Sequence, residues 1–223
     1  MRKQIAAANW KMNLTLQQAE ALVDELLATP FSLNENQKAV FGVPFPYLIA
    51  IHNKFIGKNN CYVSAQNCYT KKSGAYTGET SVEMLTSIGI TYVIIGHSER
   101  REFFNESNAM LAEKINCCLS NNLKPIFCCG EPLQIREAES QNSFVETQLK
   151  ESLFHLTAEQ IKIFCDATNS VTTSIIEKKI NISLEKLVAL IKEVYQYSIE
   201  AEAESPHIDD KFLRWTIDKY HKF

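Results

Sequence analysis

Residues 92–101 read Tyr-Val-Ile-Ile-Gly-His-Ser-Glu-Arg-Arg, an apolar run that ends in a glycine and a histidine and continues into charged residues. Its first four residues show no alternation of apolar and polar side chains. Such a run is typical of a strand buried on both faces, as in a parallel sheet covered by helices. The polar residues after it lie where the strand ends, which is the edge at which α/β proteins build their sites.

Similar runs recur through the first two thirds of the chain and alternate with amphipathic stretches. The predicted strands are Ile5–Asn9, Ala39–Val43, Cys61–Gln66, Tyr92–Gly96 and Pro125–Cys129, and the predicted helices are Leu16–Leu27, Val82–Ile88 and Ala109–Leu119. This alternation predicts an α/β fold of βαβ units with parallel strands and right-handed crossovers. Periodicity alone leaves open whether the sheet is open and doubly wound or a closed barrel.

Composition and charge give no sign of a nucleic-acid or membrane partner. The 223 residues are 45% hydrophobic and 22% charged with a net charge of -3, which is ordinary for a soluble globular protein. The sequence predicts neither a signal peptide nor a transmembrane helix. The seven cysteines include the adjacent pairs Cys117-Cys118 and Cys128-Cys129, which suit neither disulfides nor zinc ligation. We therefore expect a reducing, cytoplasmic location, no disulfide framework and no metal.

The pattern changes after residue 164. Residues 166–174 are polar, Val171–Ile176 is an uncertain strand, and from Ser183 apolar residues recur three and four apart, as in an amphipathic helix. Ser205-Pro206 predicts the start of a second helix. The sequence thus predicts two parts, a βα unit over 1–164 with about five to six parallel strands and a divergent, mostly helical tail over 165–223 of unknown origin.

Polar side chains follow three of the predicted strands. Lys11 follows the first, His97 the fourth, and Cys128-Cys129-Gly130-Glu131 ends the fifth. We expect Ser98 to cap the helix after His97, so that helix N–H groups keep the imidazole neutral and able to polarise a carbonyl. Taken singly, these residues are more simply explained as an exposed turn lysine, a surface histidine and a buried structural thiol. Their recurrence at three strand ends favours a site.

Four strings of residues resemble the triosephosphate isomerase family in order and spacing. They are Ala-Asn-Trp-Lys-Met-Asn at 8–13, the loop over 65–79, Gly-His-Ser-Glu-Arg-Arg at 96–101 and Cys-X-Gly-Glu at 128–131. The resemblance covers residues 1–164. It implies an eight-stranded TIM barrel, here incomplete, and the interconversion of dihydroxyacetone phosphate and glyceraldehyde 3-phosphate in glycolysis and gluconeogenesis, with no cofactor.

The resemblance also implies roles for the matching residues. Lys11 would be the cation that stabilises the substrate phosphate and the enediolate oxygen, and Asn9 would hold Lys11 and the substrate oxygens. His97 would be the neutral electrophile at the substrate carbonyl, a role for which this family is the standard example. Glu99 would orient Lys11 or shuttle protons.

A homodimer is implied as well. The loop from Cys68 to Glu79, which contains Tyr76 and Thr77, would reach into a second subunit. Thr77 would then lie near the partner's Lys11 and the partner's His97.

The catalytic base of the family has no match in this sequence. In the family it is a glutamate in a Tyr-Glu-Pro-Val-Trp run that follows the sixth strand and opens a glycine-containing lid. This chain has no Glu-Pro-Val-Trp and reads Cys165-Asp166-Ala167 there. Asp166 is either a substitute base, one methylene shorter, or a turn residue; a displacement of about 1 Å costs on the order of 10²-fold in rate. The last of the seven glycines is Gly130, so the lid and the glycine-containing phosphate loops are missing.

The sequence supports three hypotheses. The first is an isomerase that works poorly, with Asp166 as the base. The second is a non-catalytic product, a truncated or fused family member. The third is a helical interaction module over 183–223 that carries the rest as a passenger. The missing base, lid and phosphate loops favour an impaired or inactive member of the family.

Overall fold

Five short apolar runs form the parallel sheet on which the fold is built. The computed structural model describes residues 4–29, 31–157 and 160. Each strand pairs with the next in the chain, in the order β1-β2-β3-β4-β5. The strands are β1 (Gln4–Asn9), β2 (Gln37–Val43), β3 (Cys61–Ala65), β4 (Tyr92–Ile95) and β5 (Lys124–Phe127). The five predicted strands are confirmed, with ends shifted by at most two residues.

Helices connect the strands, as parallel pairing requires. They are α1 (Leu16–Ala28), α2 (Leu48–Phe55), α3 (Val82–Ser87), α4 (Ser98–Phe103), α5 (Asn108–Ser120), α6 (Leu133–Glu137) and α7 (Gln141–Leu153), and a 3₁₀ turn lies at Phe45–Tyr47. Helices α1, α3 and α5 confirm the predictions. The curled sheet and its helices form an incomplete TIM barrel, as the sequence predicted.

Local signals explain where the first helix begins. The Thr15 hydroxyl accepts from the backbone N–H of Gln18, and the Gln18 side chain accepts from the backbone N–H of Thr15. This reciprocal pair is a capping box, which satisfies two N–H groups that the helix itself cannot. Ala19 and Val23 then form the buried face of α1.

The sheet buries both of its faces over β4. The outer face packs on the helices in the larger apolar cluster, in which Val93 and Ile95 meet Leu111 and Ile115 of α5. The inner face carries Tyr92, which packs with Val40 and is bordered by Ile5, Tyr62 and Ile126. All four residues of β4 are buried, as the run without alternation predicted.

Strand β1 differs from the prediction of burial on both faces. Gln4 and Ala6–Asn9 are exposed, and Ile5 is partly buried. Among the described residues β1 pairs with β2 alone, so its other edge and much of its inner face are open to solvent.

The predicted tail over 165–223 lies outside the described residues, and the boundary at 164 therefore stays a prediction. Within the part of the chain that is described, no helix has the length and apolar character needed to cross a membrane.

A buried ion cluster joins α4, α5 and the segment after β3. The Glu106 Oε1 atom accepts from Arg100 Nε and Lys114 Nζ, each at 2.6 Å, and Lys114 Nζ also donates to Asn67 Oδ1 at 2.7 Å. The side chains of Glu106 and Lys114 are both 2% exposed. Because Arg100 belongs to the helix that follows His97, the cluster fixes that helix against the core.

We predict that Glu106→Gln strongly destabilises the fold. Two cations would lose their shared carboxylate in a buried setting, and breaking a buried ion pair costs about 3–5 kcal/mol. Urea titration measures the free energy of unfolding. The matched control is Glu83→Gln, since Glu83 pairs with Lys72 at 3.6 Å on the surface and such pairs contribute under about 1 kcal/mol. Equal, small effects in the two variants would contradict the prediction.

Candidate active site

The ends of β1 and β4 bring Lys11 and Glu99 into contact. The Lys11 Nζ atom lies 2.6 Å from Glu99 Oε1, with the side chains 52% and 42% exposed. The hydrogen bond from Lys11 lowers the pKa of the Glu99 carboxyl below its ordinary value. The lysine therefore meets an ionised carboxylate at neutral pH, which fixes the ammonium group in position.

The backbone at Lys11 is in the left-handed region, with φ of 53°. This conformation is uncommon for residues other than glycine, and three contacts hold it. Asn9 Oδ1 accepts from the Lys11 backbone N–H at 3.0 Å. The Gln66 Nε2 atom lies 2.8 Å from Lys11 O and 3.2 Å from Asn9 Oδ1. Gln66 also reaches Gly42 O at 3.1 Å, so one side chain joins the ends of β1, β2 and β3.

His97 caps α4 with its own ring. Its Nδ1 atom accepts from the backbone N–H of Glu99 at 3.3 Å, and Ser98 is the first helical residue. The prediction that Ser98 caps this helix is therefore wrong, because the non-helical backbone angles that a cap needs fall on His97, with φ of −53° and ψ of 140°.

The cap fixes the tautomer of His97. Glu99 Oε2 also lies 3.5 Å from Nδ1, but the other oxygen of that carboxylate is engaged by Lys11. The backbone N–H has a fixed hydrogen, so we assign Nδ1 as the acceptor. A neutral imidazole then carries its proton on Nε2, as a donor for a ligand.

Arg101 holds the ends of β4 and β5 together. Its Nε donates to Gly96 O at 2.7 Å, Nη2 to Cys128 O at 3.0 Å and Nη1 to Asn108 Oδ1 at 2.7 Å. Gly96 has φ of 79°, and a Cβ atom there would lie 3.1 Å from Cys128 O. The glycine thus lets the two strand ends approach next to His97.

The cysteines after β5 are structural. Burial raises the pKa of the Cys128 thiol to about 11 and also raises the pKa of Cys129. Both thiols are therefore protonated at neutral pH and are poor nucleophiles. The loop itself is held by Gln148, whose side-chain amide bonds both the N–H and the carbonyl of Gly130.

A cavity of about 890 Å³ adjoins His97 at the ends of β4 and β5. Its volume lies in the range of small-molecule sites. Arg101 is the single cation among the described residues that line it, and its guanidinium already has three acceptors.

The remaining predicted site residues lie elsewhere. Tyr76 and Thr77 are in an exposed loop, where the Tyr76 ring packs 4.8 Å from that of Tyr69. Asp166 is outside the described residues. Over the ranges that are described, no cluster of three His, Cys, Asp or Glu residues is arranged to hold a metal ion.

Sequence reasoning missed Gln66 and Arg101. Gln66 directly follows the residue that ends β3, so its place at a strand end was a usable signal. The double-arginine string of residues 100–101 was read only as part of a motif, although its two members bind different partners.

Comparison with known proteins identifies similar chains. A sequence model of a family described as triosephosphate isomerase matches residues 4–203. The triosephosphate isomerase of Cytophaga hutchinsonii is 47% identical over 167 residues, covering 73% of this chain and 64% of the relative. That of Amoebophilus asiaticus is 42% identical over 172 residues, with the same two coverages, 73% and 64%. That of Clostridium beijerinckii is 37% identical over 203 residues, covering 87% of this chain and 79% of the relative. The chain thus spans less than two thirds of the first two relatives.

We predict that Lys11→Met returns the pKa of Glu99 towards its ordinary value. Because the pKa is lowered in the folded protein, the contact stabilises the fold above the ordinary carboxyl pKa, and that stabilisation is lost as the pH falls through the folded value. A ¹³C NMR titration of the Glu99 carboxyl measures the change. Lys54→Met, which removes the remote partner of Asp24, is the control and should leave Glu99 unaffected. An unchanged Glu99 pKa in Lys11→Met would show that the lysine does not act on this carboxyl.

Proposed function

This chain belongs to the triosephosphate isomerase family, and we propose that its site serves the interconversion of dihydroxyacetone phosphate and glyceraldehyde 3-phosphate with a strongly impaired rate. The observation that carries the proposal is the contact of Lys11 with one oxygen of Glu99, while the other oxygen of that carboxylate lies 3.5 Å from His97 Nδ1. The proposal extends to glycolysis in the cytoplasm as its setting and to a homodimer with Tyr76 and Thr77 at the interface.

The three residues suit the electrophilic half of the reaction. The substrate loses a proton from the carbon next to its carbonyl, and negative charge then develops on the carbonyl oxygen. A donor at His97 Nε2 and a cation at Lys11 Nζ stabilise that charge, and such preorganised groups supply a large part of catalysis. Asn9 and Gln66 hold the Lys11 backbone, so the cation needs little rearrangement when the charge forms.

The proposed impairment follows from the absence of the residues that would remove the proton from the substrate. No Glu-Pro-Val-Trp run occurs in the sequence, and a positioned base contributes typically 10²–10⁴-fold in rate. Asp166 is the substitute that the sequence offers. We also propose that the substrate phosphate is weakly held, because residues 131–223 contain no glycine and backbone phosphate loops depend on close approach.

A non-catalytic role through the tail is the alternative. The amphipathic spacing from Ser183 onward favours a helix with an apolar face. Self-association of a 175–223 peptide, followed by circular dichroism and sedimentation, tests this alternative. A peptide without helicity or self-association removes it.

We predict that the purified full-length chain turns over dihydroxyacetone phosphate about 10²–10⁴-fold or more slowly than a complete relative, since it lacks the glutamate base. A coupled assay measures the rate. His97→Gln should lower residual turnover by a further factor of about 10², in line with the loss of one donor to the developing oxyanion. The matched control is His155→Gln, because His155 contacts Asn116 at 2.9 Å, away from the strand ends.

The outcomes separate the parts of the proposal. A rate equal to that of a complete relative would overturn the impairment. Turnover that survives His97→Gln unchanged would overturn the site, and turnover that survives Asp166→Asn would remove that residue as the base. If the chain has no turnover, the ¹⁵N resonances of the histidine side chains test the site during titration with dihydroxyacetone phosphate, and the site assignment fails if His97 does not shift.

A further inference from the structure

We propose that Cys68 and Cys118 are an oxidation site that forms an intramolecular disulfide. The pair lies outside the candidate active site, joining the segment after β3 to α5. The inference does not depend on isomerase activity.

The two sulfurs are already in contact. The Sγ atoms are 3.7 Å apart, and both residues are 0% exposed. A disulfide has a sulfur–sulfur length of about 2.05 Å, so the sulfurs must close by about 1.7 Å. At 3.7 Å the two sulfurs are in van der Waals contact, so no other atom separates them.

The adjacent cysteine faces a different group. Cys117 Sγ donates to Thr70 O at 3.1 Å, whereas Cys118 Sγ touches Cys68. Successive residues of a helix point about 100° apart, which explains why one of the two meets Cys68 and its neighbour does not. The geometry therefore selects Cys118 over Cys117.

Hydrogen peroxide is an oxidant that balances the reaction. One thiol attacks the peroxide, takes one oxygen as a sulfenic acid and releases water. The second thiol then attacks the sulfenic sulfur, the sulfur–sulfur bond forms, and a second water leaves. The two sulfurs lose two electrons in total, and the two peroxide oxygens gain them.

Burial makes the reaction slow at neutral pH. The contact with Cys68 and burial together raise the pKa of the Cys118 thiol well above its ordinary value. Because the thiolate is the reactive form, the rate of oxidation should rise with pH. The pair therefore stays reduced during brief contact with peroxide and is oxidised when that contact is sustained.

The test uses the reduced full-length chain under native conditions. The protein is treated with hydrogen peroxide, the peroxide is removed, the chain is unfolded in denaturant with iodoacetamide to block every remaining free thiol, and peptides are mapped by tandem mass spectrometry without reduction. We expect a crosslinked peptide that joins Cys68 to Cys118, with the loss of two hydrogens and recovery on reduction. Cys118→Ala should abolish the crosslink, and the matched control Cys117→Ala should retain it.

Two results would overturn the proposal. One is a wild-type protein in which Cys68 and Cys118 are both recovered as alkylated thiols after sustained peroxide treatment at raised pH. The other is a crosslink from Cys68 to Cys117 of equal yield. Both are read from the wild-type chain, so the test does not depend on the folding of a variant.

Discussion

Backbone pairing between parallel strands in chain order is the constraint on which the candidate site depends. Asn9 lies opposite Gly42, and Gly42 lies opposite Ser64. Lys11 and Gln66 each come two residues later, so the register alone places them at one level beyond the sheet. The bond from Gln66 to Lys11 O follows from that placement. Side chains far apart in the sequence meet because the strand register fixes their positions along the strand direction.

The sequence predicts the strands well and the small connecting pieces poorly. Runs such as Tyr92–Ile95 are apolar throughout, and this pattern can be recognised without knowing which elements pack against the strand. Helix α4 is expected only from its position after His97, without bounds, and helix α6 has five residues, too few for a helical period to appear. The missed α2 follows directly on a proline-containing turn, and the missed α7 has a weakly apolar face.

Site residues divide in the same way. Lys11, His97 and Glu99 are visible as members of strings at strand ends. Gln66 and Arg101 lie in such strings too, but they act through backbone carbonyls, so the sequence shows their place at a strand end and not the groups they bind. The prediction of a helix cap at Ser98 was wrong for a related reason. Serine is the commoner cap, but the cap is the last residue with non-helical backbone angles before the helix, and here that is His97.

The family match covers more of this chain than the residues on which the proposed reaction depends. The family match runs to residue 203, beyond residue 164, where the resemblance predicted from the sequence ends. A match of this kind sums many positions that shape the core, whereas proton abstraction depends on one carboxylate at one place. A chain can therefore keep the shape of a family while its reaction depends on groups that are easily lost.

The left-handed backbone of Lys11 has a consequence for how this protein can change. Glycine at that position would relieve strain of about 1–3 kcal/mol, and the chain would lose its ammonium group in exchange. Under the proposed function, in which Lys11 supplies the cation, lysine at a position that favours glycine is a trade-off between stability and activity at a single residue.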